Sequence, residues 1–554
     1  MTRWCRRLSG GVSACALVVL AGCAATPEPL TAEQIQARVD SDRAALLKAQ
    51  EPVAKAISLP EAIARAIKHN LDHKLKVMES ALAQGELDFA RWELLPRVVA
   101  DAGYTTRSNE SGATSKSLIN GKQSLESSTS SDKAYPTADL TVTWNVLDFG
   151  VSWLRGKQLA DRKLIAEERR RKVVHNIVQD VRTAYWKVVS AQRLLPRVEA
   201  LEVETRAAVE ASKAAEGRRL KSPNEALDYQ MGLLETVREI GALKRDLILA
   251  KAELASLMNL APGTVFRVAL PDTSVFGVPE VSAPVDALQE AALRNRPELR
   301  EEDYNERISA LETRKAILRM LPGIEVNTDI EYSGNSYLYN QHWVEGGLKL
   351  TWNLMNLLSG FENLKLNEAR EELVRQRRMA LSMAAVTQVS VALLRYHQAR
   401  EDFKLSYEMS EVASRLRTQA ETARQAQAET GLEAIRRVSK AIFVELQRDS
   451  SYAELQNAAG RIQVSVGADP LPEAVASSDL PTLAAAIEQS LQAWESGQLP
   501  PPPAAPKPSA EAPVPDQGDG ERKVAEEGQG TWTAWLRTQV GPPTEQDPTQ
   551  SPPQ

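Results

Sequence analysis

Two histidines stand one helical turn apart, His69 and His73, in a stretch of helix-forming residues. Side chains at i and i+4 share a helix face, and such a pair could grip a metal ion if a third ligand converged on it. No third ligand is evident, so the pair reads as two solvated helix histidines. The segment GATSKSLINGK (Gly112–Lys122) has the composition of a phosphate-cradling loop but not its spacing. No nucleophile elbow and no Cys-rich metal pattern is present. The chain reads as a non-enzyme without cofactor or metal, whose important residues line, dock or anchor.

A net charge of −6 over 554 residues gives no basic field for nucleic acid. The first residues, MTRWCRRLSGGVSACALVVLAGCAA, place Arg3, Arg6 and Arg7 ahead of an apolar core from Val12 to Leu20. That is a secretory leader, too short for the roughly 20 residues that cross a bilayer. Leu20-Ala21-Gly22-Cys23 resembles the lipobox of bacterial lipoproteins, which implies cleavage after residue 22 and a lipid on Cys23. Cys5 and Cys15 would leave with the leader, so a disulfide framework is excluded.

The body is a tandem duplication. AIKHNLDHKLKV…WELLPRVVADAGY (Ala66–Tyr104) runs parallel to ALRNRPELREED…LRMLPGIEVNTDI (Ala292–Ile330), and LTVTWNVLDFG to LKLTWNLMNLLSG. After each Leu-Pro the period changes to two. Val98, Ala100, Ala102 and Tyr104 oppose Val99, Asp101, Gly103 and Thr105. Ile324, Val326, Thr328, Ile330 and Tyr332 oppose Glu325, Asn327, Asp329 and Glu331. The returning strands set Leu140, Val142 and Trp144 against Thr141, Thr143 and Asn145, and Leu348, Leu350 and Trp352 against Lys349, Thr351 and Asn353. Each repeat thus holds one hairpin, at about 97–147 and 323–354, with a Ser- and Asn-rich loop in the first and a short one in the second. Two such hairpins standing alone among helices match membrane-barrel strands, apolar toward lipid and polar toward water. Four strands cannot close a barrel, so several chains must share one.

Beyond Gly150 and Gly360 the chain is helix-friendly for some 65 to 70 residues, roughly 100 Å at 1.5 Å per residue. A second helix follows each, giving long helical hairpins at about 151–260 and 361–467. Pro196 is expected to kink or break the first. The domains are a leader (1–22), an N-terminal periplasmic segment (23–57), repeats at 58–280 and 281–468, and a Pro-rich, largely disordered tail (469–554). Within the tail TWTAWLRTQV is one apolar island.

These features resemble the TolC-like outer-membrane efflux protein family, particularly its lipoprotein branch, over about Ser58–Ala468. The resemblance implies a mainly α fold with membrane β: a homotrimer whose twelve strands, four per chain, close one barrel in the outer membrane of a Gram-negative bacterium. A long α-helical barrel continues it through the periplasm to an adaptor protein and an inner-membrane pump. Asp101, Glu325, Asn327, Asp329 and Glu331 would then line the barrel lumen. The corner WNVLDFG would mark the exit from the membrane, with Gly150 permitting a sharp turn; NLMNLLSG puts Asn356 for Asp148 and sets Gly360 two residues late, so the second turn should be built differently. At the adaptor-docking tip the family's Gly-Leu-x-Ser/Ala turn is met by Gly431-Leu432-Glu433-Ala434, whereas Arg219-Leu220-Lys221-Ser222 has Arg for Gly. Beyond the turns Glu225 and Asp228 fall at aperture positions where the second hairpin, counted from its own turn, holds Arg437 and Lys440, so opposite charges would close the aperture; Glu429 and Glu433 are further candidates. The function implied is that of an exit channel in tripartite efflux or type I secretion. The competing reading is a coiled-coil envelope lipoprotein that only spaces or tethers.

Overall fold

The computed structural model describes residues 29–47, 51–124, 126–217, 223–270, 276–425, 431–470 and 479–499. The chain divides into units 1–502 and 503–554, and the second lies outside the described residues, as do Cys23 and the TWTAWLRTQV island.

The elements, in order, are α1 (Ala32–Leu47), α2 (Leu59–His69), α3 (Leu71–Ala90), β1 (Arg97–Thr106), β2 (Ala134–Asn145), α4 (Val146–Gly217), α5 (Pro223–Leu257), α6 (Val285–Asn295), α7 (Pro297–Leu318), β3 (Gly323–Ser333), β4 (His342–Thr351), α8 (Leu354–Gln425), α9 (Gly431–Ser465) and α10 (Leu480–Glu495). The duplication holds to the residue. Helices α2 and α3 map onto α6 and α7 with one offset (285 − 59 = 226), and α4 and α5 onto α8 and α9 with another (354 − 146 = 208). The difference of 18 is taken up in the hairpin loops.

The strands form one antiparallel sheet in the order β1-β2-β3-β4. The hairpins therefore do not stand alone. Strand β2 pairs with β3, with Thr137 opposite Ser333 and Asn145 opposite Glu325, so the two repeats share the sheet. Beyond it the loops are tied together: the Asp132 N–H donates to Asn335 Oδ1 at 2.9 Å, the Asn335 amide donates to the Ser130 carbonyl at 3.1 Å, and the Ser336 hydroxyl donates to Asp132 Oδ1 at 2.9 Å.

Each strand-to-helix corner is made by its asparagine. Asn145 Oδ1 accepts from the backbone N–H of Leu147 at 2.9 Å and of Asp148 at 3.3 Å, and Asn353 Oδ1 accepts from that of Met355 at 3.1 Å. These caps satisfy N–H groups that a helix start leaves without a partner. The two corners are thus built alike, contrary to the sequence expectation. Gly150 does not supply the turn either: it lies inside α4 and is not among the positive-φ glycines. Gly360 serves a different need, because a Cβ there would meet Met320 Cγ at 2.5 Å.

Helix α4 runs 72 residues straight through Pro196. An internal proline costs about 3 kcal/mol. On either side Leu194, Val198 and Leu201 are almost wholly buried, and each such side chain contributes about 1.5–3 kcal/mol, so packing outweighs the lost hydrogen bond. The core has two centres. One joins α2, α4, α5 and α10 through Ile63, Val188, Leu233, Leu254 and Ile487; the other joins α6, α8 and α9 through Leu288, Val389, Tyr396, Leu455 and Ile462.

Two expectations change. The segment after residue 468 contains α10, capped by Asp479 and buried through Leu480, Leu483 and Ile487, because its apolar residues recur at helical spacing before the prolines begin. His69 is not solvated: it is 5% exposed, with its Nε2 3.0 Å from Glu51 Oε2. His73 shares no ligand with it, since its Nδ1 lies 2.7 Å from the Ile67 carbonyl.

Replacing Asn145 by Ala should destabilise the strand-to-helix junction by about 1 kcal/mol, and Asp or Ser should recover most of it. Thermal unfolding of the detergent-solubilised protein measures the difference; no change would mean that packing alone sets the corner.

Candidate functional site

Strand register assigns every residue of the sheet to a face, because paired residues lie on the same side and successive ones alternate. One face carries Val98, Ala100, Tyr104, Leu140, Val142, Trp144, Ile324, Val326, Ile330, Tyr332, Val344, Leu348 and Leu350. Its larger side chains are exposed, Val344, Leu348 and Leu350 by 70% or more, and none of the described elements covers them. Trp144 meets Phe149 edge to face at the corner, with ring centroids 5.8 Å apart, and Trp352 donates its indole N–H to the Met320 carbonyl at 3.0 Å. Such a face suits hydrocarbon.

The other face is acidic. Asp101, Glu325, Asn327, Asp329 and Glu331, the sequence candidates, all lie on it. Register adds two that sequence reasoning missed, Asp139 and Glu345. Asp139 sits directly between Asp101 and Glu331, so three carboxylates stand side by side on neighbouring strands, while Glu345 pairs with Asp329. With Arg97 and Lys349 as the cations of this face, its balance is 2 − 6 = −4 per chain. The alternation held the signal: extending the β2 pattern back from Leu140, and the β4 pattern back from Lys349, reaches both residues. Like charges directly opposite one another destabilise a sheet. A water-filled side with mobile counter-ions screens that repulsion, and a dry core does not.

The helices continue from the sheet. Side by side, α5 packs on α4, α4 on α9 and α9 on α8, leaving α5 and α8 as the outer pair. The candidate tip falls at the far ends of the hairpins. Arg219, Leu220, Lys221, Ser222 and Glu429 lie outside the described residues; Gly431 and Leu432 begin α9 and Glu225 lies in the first turn of α5. Asp228 is exposed. Arg437 comes within 3.9 Å of Glu433 one turn back on its own helix, and Lys440 lines a surface groove together with Glu235 and Glu239 of α5. Near this end the cations thus lie beside carboxylates of α9 and α5, with Glu235 and Glu239 added to the sequence candidates.

Residues 62–260 match the family described as outer membrane efflux protein. Among solved structures the chain is similar to the outer membrane channel CmeC of Campylobacter jejuni, with 11% identity and a TM-score of 0.59 over 80% of this chain and 93% of that one. It is similar to the MtrE outer membrane channel of Neisseria gonorrhoeae in its open state, with 17% identity and a TM-score of 0.55 over 73% and 88%. A third is the outer membrane protein VceC of Vibrio cholerae, at 14% and 0.55 over 74% and 96%. No curated protein sequence matches the chain. At these identities the likeness to solved structures is one of fold.

A lumen lined by this acidic face should carry cations in preference to anions, read as the reversal potential of bilayer currents in a salt gradient. Changing Asp139 and Glu345 to Lys should shift that potential toward anion preference. An unchanged value would place selectivity outside the barrel.

Proposed function

We propose that this chain, whose residues 62–260 match the outer membrane efflux protein family and whose fold is that of solved outer-membrane channels, is the outer-membrane exit channel of a tripartite export machine. It assembles as a homotrimer, meets a periplasmic adaptor at the hairpin tips and passes substrate from an inner-membrane pump. MtrE is described in an open state, and we extend to this chain a corresponding pair of states, open and closed.

The observation that carries assembly is a missing neighbour. Helix α7 lies between α4 and α8. It is paired to α4 through Arg169–Glu301 (2.7 Å) and Arg300–Glu168 (3.1 Å), and to α8 through Arg378–Glu306 (2.9 Å). Its repeat mate α3 packs on α4, with no second long helix packed beside it among the described residues. The face left bare is apolar: Leu71, Leu75, Met78, Leu82 and Phe89 recur at helical spacing and are 45–67% exposed. The offset of 226 sets Leu75 and Leu82 where α7 has Glu301 and Ile308, residues turned toward α4. The offset of 208 carries Gln158 of α4, which bonds α7, and the buried Ile165 two turns on, onto Leu366 and Leu373 of α8, both half-exposed. The two bare faces complete each other only when α3 of one copy lies on α8 of the next. Three copies give six repeats and twelve strands. A spacer or tether would have no use for the acidic, water-facing side of the sheet.

Pairing Leu82→Cys with Leu366→Cys should, on oxidation, yield covalent dimers and trimers and nothing larger, since Gln158 and Ile308, their in-chain counterparts, are joined by a 3.1 Å hydrogen bond. The purified protein should conduct in planar bilayers. A ladder running past three, or absence of conductance in every preparation, would overturn the reading.

We also assign to Cys23 the lipid of a bacterial lipoprotein, on the strength of its lipobox. Mass spectrometry of the mature N-terminus tests the modification. Cys23→Ala exported through an ordinary cleavable leader should remain in the outer membrane, because one acyl anchor is marginal beside a barrel; its appearance in the soluble fraction would contradict the barrel.

A further inference from the structure

The seam between the two repeats inside one chain, α4 against α9, differs in kind from the seam that the repeat offset builds between copies, α8 of one against α5 of the next. The in-chain seam is polar and ionic along much of its length. Arg193 pairs with Asp449 and Arg197 with Glu445; Arg417 and Arg448 reach the same two carboxylates at 3.1 and 2.8 Å. Farther up, Arg182 donates to Gln463 at 3.2 Å, and Asp469, just past α9, takes His175 and Arg171, each at 2.8 Å.

This seam is also under-satisfied. Eight buried side-chain polar atoms lack a partner among the described residues, and five of them lie here: Arg182 Nε, Trp186 Nε1, Arg193 Nε, Asp449 Oδ2 and Asn457 Oδ1. A buried group left unpaired costs about 1–3 kcal/mol. Burial lowers the Arg182 guanidinium to about 10, with the charge of Glu495 acting in the opposite direction. The observed packing is therefore penalised where the two hairpins meet, and water entering the seam would relieve the penalty.

The same positions shifted by 208 give the seam between copies. Arg171, His175, Trp186 and Arg197 become Met379, Met383, Leu394 and Leu405, all 56% exposed or more within one chain, while Arg182 and Arg193 become Ser390 and Glu401. Across from them Glu445, Asn457, Gln463 and Asp469 become Val237, Leu249, Ala255 and Ala261. The most apolar window of α8 could cross a membrane by length and composition alone, and only 22% of it is buried in the single chain. Toward the tip both seams are apolar, since Ile435 and Ile442 join the core of the first hairpin and their repeat mates are Leu227 and Leu234. The contrast lies in the stretch above.

Building on the trimeric-channel reading, we propose that the α5–α8 seam between copies is a permanent apolar joint, and that the channel changes state by shear of the ion-paired α4–α9 seam within each chain. Removing both shared carboxylates, Glu445→Gln with Asp449→Asn, then releases four guanidinium groups and raises single-channel conductance severalfold. Lys187 and Ser450 line one groove across the in-chain seam; their repeat-shifted counterparts between copies are Arg395 and Ala242. A bifunctional thiol reagent joining Lys187→Cys to Ser450→Cys should abolish the rise, and one joining Arg395→Cys to Ala242→Cys of the next copy should leave it. Conductance equal to the parent's, or abolition by the second link and not the first, overturns the proposal. Spin labels at the same two pairs, with all seam charges intact, provide a measurement that does not depend on the carboxylate variant folding. The in-chain pair should give the broader distance distribution; equal widths, or a broader one between copies, overturn the proposal too. Absence of conductance in the parent would instead count against the channel reading itself.

Discussion

Everything in this chain follows from the two open edges of its sheet. Among the described residues strands β1 and β4 each have one partner, so each presents a row of backbone N–H and C=O groups on its outer side. In the shared membrane barrel proposed above these edges would lie in hydrocarbon, which offers nothing to satisfy them, and each group left bare costs several kcal/mol. Closure is the remedy, and it requires β4 of one copy to pair with β1 of the next. Once the strands are in a ring, the helices that continue them are in a ring as well, because Asn145 and Asn353 start α4 and α8 at the residue following each strand or within two of it. The corners therefore transmit the barrel's symmetry to the tunnel.

Duplication makes that ring economical to encode. One repeat supplies two strands, two short helices and two long ones, and each surface on it complements a surface on the next repeat. Within the chain the complement is used once, where α7 settles between α4 and α8. At the ends of the chain it is left over, as the bare faces of α3 and α8. Exposed apolar residues on these helices are thus the unused halves of contacts already seen inside the molecule, which is firmer ground than hydrophobicity alone.

Much of this was legible in the sequence because its signals were periodic. A spacing of two exposed the strands and five residues of the sheet's acidic face, and the internal match located the duplication. What failed were inferences from single residues. Gly150 reads as a turn maker, yet the turn is made by a side-chain cap that resembles any other Asn until its backbone partners are known. Pro196 reads as a kink or break, yet the helix does not break there, because burial of the flanking Leu194 and Val198 outweighs the lost hydrogen bond. His69 looks solvated until Glu51, 18 residues away, closes on it. Asp139 and Glu345 were missed because strand ends are vague in sequence, and only pairing showed how far the alternation extends.

The different chemistry of the two seams has a reason in how such a ring must form. The hairpins of one chain are tethered, so α9 meets α4 at a high effective concentration whatever the seam is made of. Ion pairs and half-satisfied polar groups suffice there. Separate copies have no tether and must give up translational and rotational freedom to associate. Only the seam between copies therefore needs a large apolar surface, and that is where Met379, Met383, Leu394 and Leu405 lie. A ring built this way is held together by joints that resist opening and is interrupted three times by joints that do not. Asp449 and Glu445, each shared by two arginines, mark the weaker ones.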